Sequence, residues 1–138
     1  MGSDSFQGVT DAELALLELL WEPGEHTPVG LQETLAEAGT DWAYTTVQTL
    51  LHRLHKKGLV SRRKVGVTQV YRAEVDRDEL LQAHMRDLAD RLCGGTTAPL
   101  LLNLVQNERF SKKDLARFRA LLEEAEENGR RRRRGKGN

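Results

Sequence analysis

Apolar residues over the first 57 positions recur at the three- and four-residue spacing of helices that bury one face. They alternate over the next fifteen or so, then return to helical spacing. Thr10-Asp11-Ala12-Glu13 has the side chains of a capping box, in which the Thr10 hydroxyl takes the Glu13 amide and the Glu13 carboxylate takes that of Thr10. A helix is predicted from there, with Leu14, Leu16, Leu17, Leu20 and Trp21 as its apolar face and Pro23-Gly24 as its end. Thr27-Pro28 reads as an N-cap followed by proline at the first helical position. It opens a short helix with Leu31 and Leu35 inward and Gly39 as its stop.

A third helix is predicted over about 43–57, with Val47, Leu50, Leu51 and Leu54 buried and Gly58 as its stop. Its opposite face carries Thr45, Thr46, Gln48, Thr49, His52 and Arg53. Residues 59–65 and 69–73 alternate as two strands around the short loop Gly66-Val67-Thr68. Three helices and a hairpin in that order predict a winged helix-turn-helix, the third helix entering the major groove and the hairpin lying along the phosphate backbone.

The remainder returns to helical spacing. Residues 76–92 carry Leu81, His84 or Met85, Leu88 and Leu92, stopped by Gly94-Gly95; residues 111–128 carry Leu115, Phe118, Leu122 and Ala125. Between them, Leu100-Leu101-Leu102-Asn103-Leu104-Val105 would spread apolar side chains around a whole helix, more than a small three-helix segment can cover. A second copy of the chain is expected to cover them, with Leu81, Leu88, Leu101, Leu102, Leu104, Val105, Leu115, Phe118 and Leu122 in the interface. The fold expected is mainly α with a small β-hairpin. Residues 1–9 form a disordered N-terminus, 10–75 the winged-helix DNA-binding domain, 76–128 a helical dimerisation domain and 129–138 a disordered basic tail. There is no internal repeat.

Charge changes this picture more than composition does. Acids and bases number 21 each, yet all seven bases before residue 76 (Arg53, Lys56, Lys57, Arg62, Arg63, Lys64, Arg72) lie between Asp41 and Glu74, with no acid among them. Such a stretch concentrates positive potential on one surface and makes double-stranded DNA the leading partner. Thr45, Thr46, Gln48, Thr49 and His52 are assigned to base edges, Gln48 being able to pair bidentately with adenine. Arg53, Lys56, Lys57, Arg62, Arg63 and Lys64 are assigned to phosphates, with Gln69 and Tyr71 on the wing. Tyr44 either reaches a phosphate or packs against Trp42. The six bases of residues 129–138 favour nonspecific attraction to DNA over membrane binding or mere solubility.

Other chemistry finds little support. One cysteine, Cys93, closes no disulfide and makes no thiolate cluster, and His52 and His55 alone do not close a metal site, so no metal or cofactor is expected. His52 and His55 read as DNA-facing and surface histidines, and Cys93 as a packed thiol. No phosphate loop or nucleophile motif points to an enzyme. The absence of a spanning apolar run or a signal-peptide pattern gives a cytoplasmic expectation. The rival readings are a winged-helix protein-interaction module and a non-specific nucleic-acid binder, RNA included, for which Tyr71 is the main stacking candidate.

The segment Asp41-Trp42-Ala43-Tyr44-Thr45-Thr46-Val47-Gln48-Thr49-Leu50-Leu51-His52-Arg53-Leu54-His55-Lys56-Lys57-Gly58-Leu59-Val60 resembles the recognition helix and wing entry of the penicillinase-repressor (BlaI/MecI/CopY) family of bacterial winged-helix repressors. Thr10-Asp11-Ala12-Glu13 leading to Leu20-Trp21, Gln69-Val70-Tyr71, and Gly94-Gly95 followed by Leu101-Leu102-Asn103-Leu104-Val105 extend the resemblance over about 10–127. It implies a homodimer that binds an inverted-repeat operator and represses neighbouring genes. In the β-lactam-responsive members a membrane sensor-protease cleaves after an Asn that precedes Phe; the aligned bond is Asn103-Leu104, with leucine where those members have phenylalanine. The paired cysteines of the copper-responsive members have no counterpart here. Certain members carry bases where this chain has Thr45 and Gln48, which implies a different operator.

Overall fold

The computed structural model describes residues 8–136; residues 1–7, most of the expected disordered N-terminus, lie outside the described residues, as do 137 and 138. Two compact units divide at Thr97/Ala98. The first contains α1 (Asp11–Leu20), α2 (Pro28–Glu37), α3 (Tyr44–Lys56), β1 (Val60–Val65), β2 (Thr68–Ala73) and α4 (Arg77–Leu92). The second contains α5 (Ala98–Asn107) and α6 (Lys112–Lys136).

Local chemistry sets the element ends. The capping box at Thr10 is complete: Thr10 Oγ1 accepts from the Glu13 amide at 3.2 Å, and the Thr10 amide donates to Glu13 Oε1 at 3.0 Å. Thr27 accepts from the Gly30 amide at 3.0 Å, with Pro28 in the first turn of α2, where its missing N–H costs no helical hydrogen bond. A second box, Asp76 with Glu79, opens α4. Gly58 adopts φ +77°, the left-handed conformation that ends α3 and turns the chain into β1. Gly66 at φ +63° allows a two-residue turn, tighter than the three-residue loop expected, so Thr68 joins β2.

The core of the first unit is aliphatic. Leu16, Leu17 and Leu20 of α1, Leu31 and Leu35 of α2, and Val47, Leu50, Leu51 and Leu54 of α3 enclose one another, with Val60 and Tyr71 closing the cluster from the hairpin. The wing is an antiparallel pair with Arg62 opposite Tyr71 and Lys64 opposite Gln69. His26 adds a bridge to its outer edge through reciprocal backbone bonds with Tyr71.

Several expectations give way here. The first unit runs past residue 75, because α4 is docked on it: Leu80 joins the core, Arg77 lies over the Trp21 ring at 4.6 Å, and Trp21 Nε1 donates to the Val75 carbonyl at 2.7 Å. Val9, expected to be disordered, packs against the core, and the Gly8 carbonyl accepts from Lys57 at 2.7 Å. The basic tail, likewise expected to be disordered, continues α6 as helix to Lys136. Arg130 and Arg131 lie within salt-bridge reach of Glu126 and Glu127, the i,i+3 and i,i+4 geometry that supports a helix through an unfavourable Asn128-Gly129. No helix among the described residues is long and apolar enough to cross a membrane.

Candidate nucleic-acid interface

Helix α3 divides along its axis. Val47, Leu50, Leu51 and Leu54 are buried, while Thr45, Thr46, Gln48, Thr49, His52, Arg53 and Lys56 are exposed. The core grips one side of the helix through aliphatic contacts and leaves the other to solvent. Gln32 Nε2 donates to the Trp42 carbonyl at 3.1 Å, tying the entry of α3 to α2.

The exposed side is itself two stripes at i,i+4 spacing. Tyr44, Gln48 and His52 face the wing across a cleft of about 380 Å³, which is also lined by Arg62 and Gln69 from the hairpin. Thr45, Thr49 and Arg53 bound a shallower hollow with Thr46. Thr49 Oγ1 donates to the Thr45 carbonyl at 2.9 Å, which leaves that oxygen able to accept from a base or water. Tyr44 lines the cleft and is partly open to solvent.

The hairpin explains why its bases differ in role. Val60, Arg62, Lys64, Gln69, Tyr71 and Ala73 share one face by register. At its base that face closes the core, where Val60 and Tyr71 are buried; toward the turn it opens into the cleft, where Arg62, Lys64 and Gln69 are exposed. Tyr71 is mostly a core side chain that still lines the floor of the cleft, and its burial removes it as a stacking surface for RNA bases. Arg63, on the other face, forms a two-pronged ion pair with Glu25, its Nε 2.8 Å from Oε2. The Arg63 bond holds the Glu25 carboxyl below its ordinary pKa and raises that of the guanidinium. A phosphate would have to compete with Glu25 for this exposed guanidinium.

Lys57 departs furthest from expectation. Its ammonium lies 2.7 Å from Oε1 of Glu13, a carboxylate with no exposed surface, and 2.7 Å from the Gly8 carbonyl. Burial pushes the Glu13 carboxyl up, but the bonds from Lys57 and Thr10 outweigh it and leave the pKa below its ordinary value. Oε2 has no hydrogen-bond partner, so the pair is only partly compensated. Lys57 therefore positions the end of α3 against α1. Arg53, Lys56, Arg62 and Lys64 remain exposed with no ion pair among the described residues, the first two on α3 and the last two on the wing.

Sequence reading missed Pro28 and Val29, which line the wing cleft from the start of α2; Val29, an apolar residue off the stripe of Leu31 and Leu35, was the available signal. It also missed Glu13 and Glu25 as partners of the two lysine and arginine residues reassigned above. Of the residues expected at a dimer interface, Leu81, Leu88, Leu101, Leu102, Leu104, Val105 and Leu122 are exposed large apolar side chains. Leu115 and Phe118 are partly buried, Phe118 packing edge-on against Phe110 at 5.0 Å between ring centres. Asn103 and Leu104 lie exposed within α5, not in a loop. Among the described residues no group of three or more His, Cys, Asp or Glu is placed to hold a metal ion.

Known proteins align with this arrangement over most of its length. The chain is similar to the penicillinase repressor of Bacillus licheniformis, 28% identical over 118 residues that cover 84% of this chain and 90% of that protein. It is 24% identical over 114 residues to the methicillin resistance regulatory protein MecI of Staphylococcus aureus strain N315, covering 83% and 92% respectively. Among solved structures, the DNA binding domain of the repressor BlaI is similar at 31% identity and a TM-score of 0.46, over 51% of this chain and 85% of that one. With the penicillinase repressor profile matching residues 9–124, the chain belongs to the penicillinase repressor family of DNA-binding transcriptional repressors.

Proposed function

We propose that the protein is a homodimeric repressor that recognises an inverted-repeat operator, α3 reading base edges in the major groove and the hairpin holding the adjacent backbone. One observation carries this reading: the exposed side of α3 bears only hydroxyl, amide, imidazole and cationic side chains, and faces a wing from which Arg62 and Gln69 line the shared cleft, with exposed Lys64 paired opposite Gln69. Gln48 is the principal base reader, with Thr45, Thr46, Thr49 and His52 around it. Tyr44, Arg53, Lys56, Arg62, Lys64 and Gln69 fix register on the phosphates.

A second copy of the chain suits the apolar surface left over. Leu81, Met85, Leu88 and Leu92 recur along α4 at four-three-four spacing and are all exposed, the arrangement of a helix seam that meets another helix. In the second unit, Leu101, Leu102, Leu104 and Val105 of α5 and Leu121 and Leu122 of α6 are likewise exposed. A two-fold pairing presents two reading helices to the two half-sites of a palindrome. Release follows cleavage of Asn103-Leu104 by a membrane sensor-protease. Because the Leu104 carbonyl still accepts from the Glu108 amide, α5 must open locally before a protease can hold the bond extended.

Selection of bound duplexes from a random pool at near-physiological salt tests the reading. An enriched inverted repeat is expected. Binding without enrichment sinks the assignment and leaves a non-specific binder; no binding leaves a protein-interaction module.

A further inference from the structure

The family match ends at residue 124, but α6 continues for about three more turns and carries the chain's densest charge. Acids stop at Glu127, and five consecutive arginines, 130–134, follow. All five are exposed. Arg130 and Arg131 have Glu126 and Glu127 at 3.6–3.8 Å. Arg132, Arg133 and Arg134 have no acid one turn away: the positions three and four before them hold Asn128, Gly129, Arg130 and Arg131.

Like charges one turn apart oppose a helix, and Gly129 and Gly135 oppose it further. The helix dipole favours cations at this end but is screened by salt and limited to the last turn. These last turns of α6 thus hold uncompensated positive charge. A row of anions relieves the repulsion and gains from the counterions it releases. At 25 residues α6 is about 37 Å long, longer than a turn of B-DNA, so its arginines are displayed far from its own start at Lys112.

We propose that arginines 130–134 form a second DNA-contacting surface, which binds phosphates outside the operator sequence read by α3 and lengthens the footprint. The proposal rests on the operator-binding reading above. It adds a sequence-independent, salt-sensitive component on the flanking DNA, beyond the phosphate contacts of the winged-helix unit within the operator.

The test compares three proteins: the full chain, the chain ended after Asn128, and the full-length triple variant Arg132→Gln, Arg133→Gln, Arg134→Gln, which keeps the segment's length. Each is titrated with the selected operator alone and with the operator extended by about one helical turn, ~10 bp, on each side. The full chain is expected to bind the extended duplex at least about tenfold more tightly near 0.1 M salt, and the other two proteins to bind both duplexes alike. The salt slope on the extended duplex should fall by about 0.9 for each arginine–phosphate contact removed. Equal flank dependence in all three proteins overturns the proposal. So does an equal loss on both duplexes, which would place the arginines on the operator itself. Capture of the full chain by anionic vesicles without any flank effect overturns it in favour of a lipid surface. Preference for the operator over a scrambled duplex is read in the same titrations. Its absence from all three proteins defeats the reading of α3, while the flank comparison still decides the arginines.

Discussion

Replacing Lys57 with methionine separates a structural lysine from a DNA-binding one. The substitution keeps most of the aliphatic stem and removes the ammonium that faces Glu13 at 2.7 Å. Glu13 has no exposed surface, and its Oε2 already lacks a partner. Breaking a buried pair from one side costs about 3–5 kcal/mol. The lower end applies here, about 3 kcal/mol, because the Lys57 side chain retains 17% exposure and the Thr10 amide still bonds Oε1. The pH dependence has a definite sign. In the native protein the Glu13 pKa is lowered, so its contribution is fully present above the unfolded value of about 4.3 and is lost as pH falls through the lowered folded value. In the variant the raising effect of burial faces only Thr10. The deficit is therefore largest near pH 7 and shrinks as acid neutralises the carboxylate.

Urea unfolding at fixed protomer concentration, followed by the fluorescence of Trp21 and Trp42 at the core margin, measures both quantities. The double variant Glu13→Gln, Lys57→Met should recover part of the loss, since no buried charge remains. A change below about 0.5 kcal/mol at pH 7, together with a salt slope for operator binding lowered by about one unit, would refute the buried-pair reasoning and return Lys57 to the phosphate backbone.

Three further outcomes are expected. Gln48→Ala should change which bases are preferred at one position of each half-site, whereas Lys64→Ala should weaken all duplexes alike and lower the salt slope by about one unit per contact, both read by competition titration. Arg63→Ala should lower that slope less than Lys64→Ala does, because Glu25 already pairs with Arg63; an equal effect in salt-dependent titrations would count against the pairing. Leu88→Asp in the α4 seam should shift sedimentation from dimer to monomer and abolish binding to the full palindrome while sparing weak half-site binding.

Caps, turns and periodicity were legible because they are local. The Thr10 capping box, Thr27-Pro28, Gly58 and the α3 stripe involve residues within four positions of one another, and the side-chain chemistry that makes them is written in order along the chain. The exposed polar side of α3 was legible for the same reason. Lys57 and Arg63 were not, because Glu13 and Glu25 lie 44 and 38 positions away. An interval without acids describes the sequence, not the space around each base. Strand alternation assigned Arg62 and Tyr71 to opposite paired strands, but it could not tell that their common face is core at one end and cleft at the other. The extent of the aliphatic cluster decides that.

By itself the sequence determined the order of elements, the buried stripes and the polar stripe that reads DNA in the proposed function, since these follow from residue type at short spacing; the family was legible separately, as a resemblance of whole segments, Asp41 to Val60 above all. Only the tertiary structure decided which cations pair with carboxylates distant in sequence, that Tyr71 packs into the core, that α4 docks on the winged-helix unit, and that α3 and the wing enclose a cleft. Each of those depends on which surfaces meet after folding, and burial and ion pairing are properties of that meeting.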